Sequence, residues 1–175
     1  MISLLLALFW LADLRGCACD AAQPATLEAR ECSLCKAAEQ QPEAPAVFFL
    51  KDLNPTKPNR TLALPRKHYA KGHALADMSA EERTELWTAA IAKGAELWGD
   101  GWGVAYNGDE RRTQCHGHVH IGKMNADAEN EKFVVVALPG DIPVPENGAG
   151  LWVHPVNGKL HVHAGEQVTE FNLMR

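Results

Sequence analysis

Histidine recurs at every second position in His116-Gly117-His118-Val119-His120, and the apolar Ile121 follows. Side chains along a strand alternate between faces, so this spacing predicts a strand with one imidazole face and one apolar face carrying Gly117, Val119 and Ile121. A row of this kind forfeits hydrophobic burial on its own side. The fold gains little from it unless the imidazoles bind or react with something. The natural targets are a metal ion, or the oxygens and phosphorus of a phosphate.

The elements around the row follow from local signals. Val47-Phe48-Phe49-Leu50 reads as a buried strand, with Pro55, Pro58 and Asn59 in the turn after it, and Thr61 to Leu64 as a second strand stopped by Pro65. Ser79 and Glu82 form a capping box that opens a helix. Its apolar stripe is Leu86, Ala90, Ile91, Leu97 and Trp98, with Gly99 where a C-terminal cap belongs. Gly94 falls on that stripe and predicts a close approach of the sheet. Trp102 to Tyr106, His116 to Gly122 and Phe133 to Leu138 read as three more strands. Leu151 to Val156 and Lys159 to His163 flank Asn157-Gly158, the preferred type I′ turn pair, and so form a hairpin that extends the sheet or covers an edge. The order predicts an α+β fold: a mainly antiparallel sheet with one main helix and a C-terminal β-hairpin extension. The expected organisation is a signal or anchor segment and linker over 1–31, a catalytic unit over 32–124, and a strand and hairpin over 125–175 packed on the same domain.

The formal charge is −5 over 175 residues, which argues against a nucleic-acid partner and leaves no polybasic membrane patch. An anion site must therefore be local. Ile2 to Ala12 is an apolar run too short to span a bilayer but right for the core of a secretory signal, although no Lys or Arg precedes it and Asp13 follows closely. Leu14-Arg15-Gly16-Cys17 looks like a lipoprotein processing site. The expectation is export, periplasmic or lipid-anchored at Cys17, with membrane contact only through that segment; the alternative is a cytoplasmic chain that begins with a buried helix.

A neutral imidazole is a competent nucleophile near pH 7. Its attack on phosphorus would split one hard displacement into two, through a phospho-histidine that water then hydrolyses, while flanking imidazoles donate to the phosphoryl oxygens. The same row could instead hold a metal or line a polar solvent face. A further block, Phe49-Leu50-Lys51-Asp52-Leu53-Asn54-Pro55 followed by Thr61-Leu62-Ala63-Leu64-Pro65-Arg66-Lys67-His68, precedes the row. With the triplet, it resembles the histidine-triad (HIT) family of nucleotide hydrolases and transferases. The likeness covers roughly Cys32 to Lys123. It implies that His118 is the nucleophile, with His116 and His120 beside it. Asp52 would accept from ribose hydroxyls, or cap the turn before Pro55. Phe49 and Leu53 would line a base pocket, and Asn107, Arg112, Thr113 and Gln114 would complete the substrate site. Arg112 stands where many members carry Gln, and the run from Asn107 to His116 is short. That variant looks closer to the bacterial CDP-diacylglycerol pyrophosphatases. The resemblance thus implies a nucleotide or nucleotide-lipid substrate, no catalytic metal, and a homodimer as a common assembly.

Cys32-x-x-Cys35 places two thiols where a tetrahedral zinc site would need two more ligands. The CxxC branch of the HIT family implies His68 and His116 for them, giving a structural zinc site, with His73 as a fallback; a Cys32–Cys35 disulfide is the competing expectation. Cys115, one position out of phase with the row, should be a small buried residue pointing away from the site. His161-x-His163, with His154 across the Asn157-Gly158 turn, either makes another metal patch or is a set of exposed imidazoles alternating with Leu160 and Val162. Two rivals to the enzyme remain: an exported zinc- or copper-binding protein that uses the histidine row, and a non-catalytic nucleotide-binding module.

Overall fold

The computed structural model describes Cys17 and residues 19–42, 44–67 and 74–174. His68, His73 and the apolar run at the chain start lie outside the described residues.

Among the described residues two α-helices and seven strands make the frame: α1 (Ser33–Glu39), β1 (Val47–Lys51), β2 (Thr61–Pro65), α2 (Ala80–Trp98), β3 (Trp102–Tyr106), β4 (Val119–Lys123), β5 (Val134–Val136), β6 (Gly150–Val156) and β7 (Lys159–Glu166). The strands form one sheet in the order β1-β2-β4-β3-β6-β7-β5, antiparallel at every pairing. The fold is α+β.

Strand alternation divides the sheet into two faces. Ala63, Val104, Val119, Ile121, Leu151, Val153, Leu160 and Val162 pack with Leu86, Trp87 and Ala90 of α2 in the main core. Their neighbours in sequence face the other way. Phe48, Leu62 and Leu64 pack there with Ala38 of α1, and Ala105 and Trp152 pack with Leu173 near the chain end. His120 is opposite Leu62 and Ala105, so it belongs to this second face. So do His154, His161 and His163, which alternate with core residues of β6 and β7.

α2 begins as its sequence dictates. Ser79 Oγ accepts from Glu82 N, and Glu82 returns a bond to Ser79 N. It ends at Gly99, whose φ of 55° is open to glycine at little cost. A Cβ at Gly94 would stand 3.2 Å from Trp102 Cβ, which is the close approach that this glycine permits. The hairpin also forms as expected, with Asn157 and Gly158 both at positive φ.

Four expectations need correction. The fourth strand begins only at Val119, so His116 and His118 sit on the approach to it rather than on it. The loop there is anchored elsewhere: Cys115 N donates to Glu31 O, and Cys115 is bonded to Cys17. Leu97 is 43% exposed, while Trp87, outside the expected stripe, is buried. The fifth strand shrinks to Val134–Val136, an edge strand paired only with β7. The linker before residue 32 is instead structured: it holds short 3-10 turns at Pro24–Glu28 and Arg30–Cys32, with Leu27 buried among the cysteines.

Candidate functional site

The histidines before and within β4 have three different environments. His116 is fully buried, and its Nε2 donates to Pro65 O at 2.7 Å. His118 Nδ1 donates to His116 O at 2.9 Å, which places the ring's lone pair on Nε2. Among the described residues Nε2 has no hydrogen-bond partner. The His120 ring lies edge-on to His118, with centroids 4.8 Å apart.

The tautomer of His120 is set from both sides. Asn107 Oδ1 accepts from Thr169 N and Glu170 N, so its amide nitrogen must point toward His120 Nε2, 3.5 Å away. Nε2 then accepts and Nδ1 carries the proton. Nδ1 faces two carboxylates, Glu170 Oε2 at 3.5 Å and Asp52 Oδ2 at 4.0 Å. Glu170 also pairs with Lys57 and Arg60. Arg60 is buried, and its guanidinium donates to the Leu173 and Met174 carbonyls. A compact network of alternating charge thus surrounds the two rings.

Burial dominates the electrostatics. It pulls the His118 pKa down to about 4, with Arg112 adding to the effect while Glu170, Asp52 and the bond to His116 O oppose it. Burial, with His118, Arg60 and Lys57 nearby, takes His120 well below the usual imidazole range. Both rings are neutral around pH 7, and His118 offers a lone pair.

The other expected site residues divide. Asp52 caps the turn, its Oδ1 accepting from Asn54 N, while its Oδ2 faces His120. Asn107 lies at the site, holding the C-terminal segment against it. Arg112 is buried, with Nη2 on Asp109 Oδ1 at 2.9 Å, Nη1 toward Cys115 O, and its guanidinium over the Tyr106 ring. Thr113 is exposed on the same loop. Gln114 fastens the first helix to the loop: its Oε1 accepts from Ser33 Oγ and Leu34 N, and its Nε2 donates to Arg30 O. Phe49 and Leu53 are not brought to the histidines. Phe49 belongs to the α2 side, under Lys93 Nζ at 5.8 Å, because it is out of phase with Asp52 on the strand. Leu53 is 93% exposed. A cleft of about 400 Å³ lies near the start of α2, bounded by Val47, Pro65, Arg66, Lys67 and Glu82, and neither His118 nor His120 lines it.

Neither expectation for Cys32 and Cys35 holds. Cys32 is bonded to Cys19 and Cys115 to Cys17. Cys35 takes part in neither disulfide; burial pushes its thiol up to about 12, far from the thiolate a zinc site requires. The second expected ligand, His116, gives Nε2 to Pro65 O, and His68 lies outside the described residues. Bonding of Cys17 to Cys115 also removes the thiol that lipid attachment would use. Two disulfides indicate an oxidising environment. Among the described residues no helix is long and apolar enough to cross a membrane.

Metal-capable clusters exist elsewhere. Donor atoms of Glu129, His154, His161 and His163 lie within 4.8 Å of one another, as do those of Asp52, His120 and Glu170. In the second group Glu170 is already neutralised by Lys57 and Arg60, and these cations would repel an incoming ion. The sulfurs of Cys19, Cys32 and Cys115 also cluster, but all three are disulfide-bonded. Among the described residues no converging group contains two members of the 116–120 row, because each ring is turned to a different partner.

Glu170, Lys57 and Arg60 escape a reading of the sequence. They reach the site through the C-terminal 3-10 turn Thr169–Asn172 and the turn before β2, neither of which carries a chemical motif. Neither a scan of protein-family models nor a search of curated proteins returns a match for this chain.

Proposed function

We propose that the chain is a hydrolase or nucleotidyl transferase of the histidine-triad kind, cleaving a nucleotide phosphoanhydride or phosphoramidate through a covalent intermediate on His118. The supporting observation is the His118 ring itself: Nδ1 is fixed on a main-chain carbonyl, Nε2 has no hydrogen-bond partner among the described residues, and burial keeps the ring unprotonated near neutrality. In the first step Nε2 bonds to phosphorus and the P–O or P–N bond of the leaving group breaks, with the leaving group taking up a proton. Water then attacks the same phosphorus, breaks the N–P bond and releases the nucleoside monophosphate. The buried guanidinium of Arg112, close enough to act on the His118 ring, is the nearby positive group for the charge that develops. The two disulfides support export, so a nucleoside diphosphate ester of the CDP-lipid type leads the substrate list, followed by dinucleoside polyphosphates and nucleoside phosphoramidates.

The test is incubation of the full chain with radiolabelled CDP-diacylglycerol, a dinucleoside polyphosphate and a nucleoside phosphoramidate, followed by acid-labile trapping of labelled protein. The wild type should acquire label and turn over at least one of the three. His118→Asn should do neither, while keeping its circular dichroism and melting profile. Turnover retained in that variant would overturn the assignment.

A further inference from the structure

We propose that Glu129, His154, His161 and His163 form a binding site for one first-row divalent transition ion of the zinc class, separate from the His118 site. The hairpin register builds most of it. His154 on β6 is directly opposite His161 on β7, and His163 is two residues along the same strand, on the same face. Glu129 is brought over them by the segment that follows the Ala126–Ala128 turn.

The donor geometry is that of a coordination shell. His154 Nε2 stands 3.3 Å from His163 Nε2 and 2.5 Å from Glu129 Oε2, while Glu129 Oε1 is 3.3 Å from His161 Nδ1 and 3.6 Å from His163 Nε2. With metal–ligand bonds of 2.0–2.1 Å, the edge of a tetrahedron is about 3.3 Å. Three of these four separations lie within a few tenths of an ångström of that edge. With each ring protonated on its far nitrogen, the two Nε2 lone pairs face each other at 3.3 Å, and an ion between them gives both a partner.

The rings are held in place by their surroundings. His163 lies flat on the Trp152 indole, with centroids 3.7 Å apart and planes 4° from parallel. His161 is stacked on Phe133 at 4.0 Å and 13°. His154 and His163 are nearly buried, whereas the Glu129 side chain is 38% exposed, so an ion would enter from the carboxylate side. Three imidazoles and one carboxylate select a borderline ion such as zinc over calcium or magnesium, which favour all-oxygen shells.

The test uses the untagged full chain, stripped with chelator, desalted and titrated with zinc chloride by calorimetry, with metal content measured after gel filtration. One zinc per chain is expected for the wild type and for His118→Asn. Glu129→Gln, an exposed change that leaves the hairpin core intact, should weaken binding at least about tenfold, and His161→Gln/His163→Gln should abolish the equivalent. With cobalt(II) in place of zinc, the wild type should show the visible absorption of a tetrahedral site and the double variant should not. Absence of zinc binding by the wild type, or an unchanged equivalent in both the Glu129→Gln and double variants, would overturn the proposal. Because every readout is metal content or a cobalt spectrum, the result stands apart from whether His118 is catalytic.

Discussion

At the scale of single residues, the chemistry of this chain depends on which nitrogen of each imidazole is engaged. His118 is neutral in the native state down to about pH 4, whereas an unfolded histidine titrates near 6.5. Two consequences follow. With His118 as the proposed nucleophile, the acid limb of kcat/KM should fall near pH 4 rather than near 6.5, which a pH–rate profile checks. Between those two values the unfolded chain binds a proton that the native ring refuses, so stability falls as pH drops through the window, by on the order of 3 kcal/mol for this residue. Urea midpoints measured at pH 7 and pH 4 would show it, and a flat profile would count against a buried neutral ring. Glu170→Gln should leave Lys57 and Arg60 without their carboxylate and cost about 1–3 kcal/mol, visible in the same denaturation experiment. His118, His120 and Asp52 are legible in the sequence because strand alternation and a chemical motif both single them out. Glu170 is not. Its place depends on the chain end returning across the sheet, held by Asn107, and nothing local encodes that return.

At the scale of elements, glycine and capping choices carry the tight geometry. A Cβ at Gly150 would meet Tyr106 O at 2.5 Å, Gly108 N at 2.7 Å and Glu166 O at 2.8 Å, all of them main-chain atoms. Gly150→Ala should therefore destabilise the protein by a few kcal/mol, on the order of other overpacking changes, because backbone at the β3–β6 junction cannot swing aside. Ser79→Ala removes the acceptor for Glu82 N and should cost about 1 kcal/mol by thermal denaturation. The helix and hairpin are legible because their signals lie within a few residues: a capping box, a C-terminal glycine, an Asn-Gly pair. The exposure of Leu97 and the shortness of the fifth strand share a cause. Apolar side chains satisfy a helical or extended pattern whether or not a partner surface is present, and Leu97, Val134 and Val135 have none that buries them.

At the scale of the whole molecule, covalent connections organise what the sheet alone does not. The Cys17–Cys115 bond spans a sequence separation of 98 and Cys19–Cys32 one of 13. Reduction should lower stability by about 2–5 kcal/mol, most of it from the longer loop, as read by the melting temperature with and without dithiothreitol. This pairing is hidden in the sequence because five cysteines admit many pairings and local spacing favours the wrong partner for Cys32. The longer bridge also has a bearing on when the protein becomes competent. Cys115 is the immediate neighbour of His116, so the segment at Cys17 is bolted to the one that presents the histidine row. A chain kept in a reducing medium would lack that bolt, so the turnover proposed for His118 should appear only after oxidation and fall silent again when thiol is added.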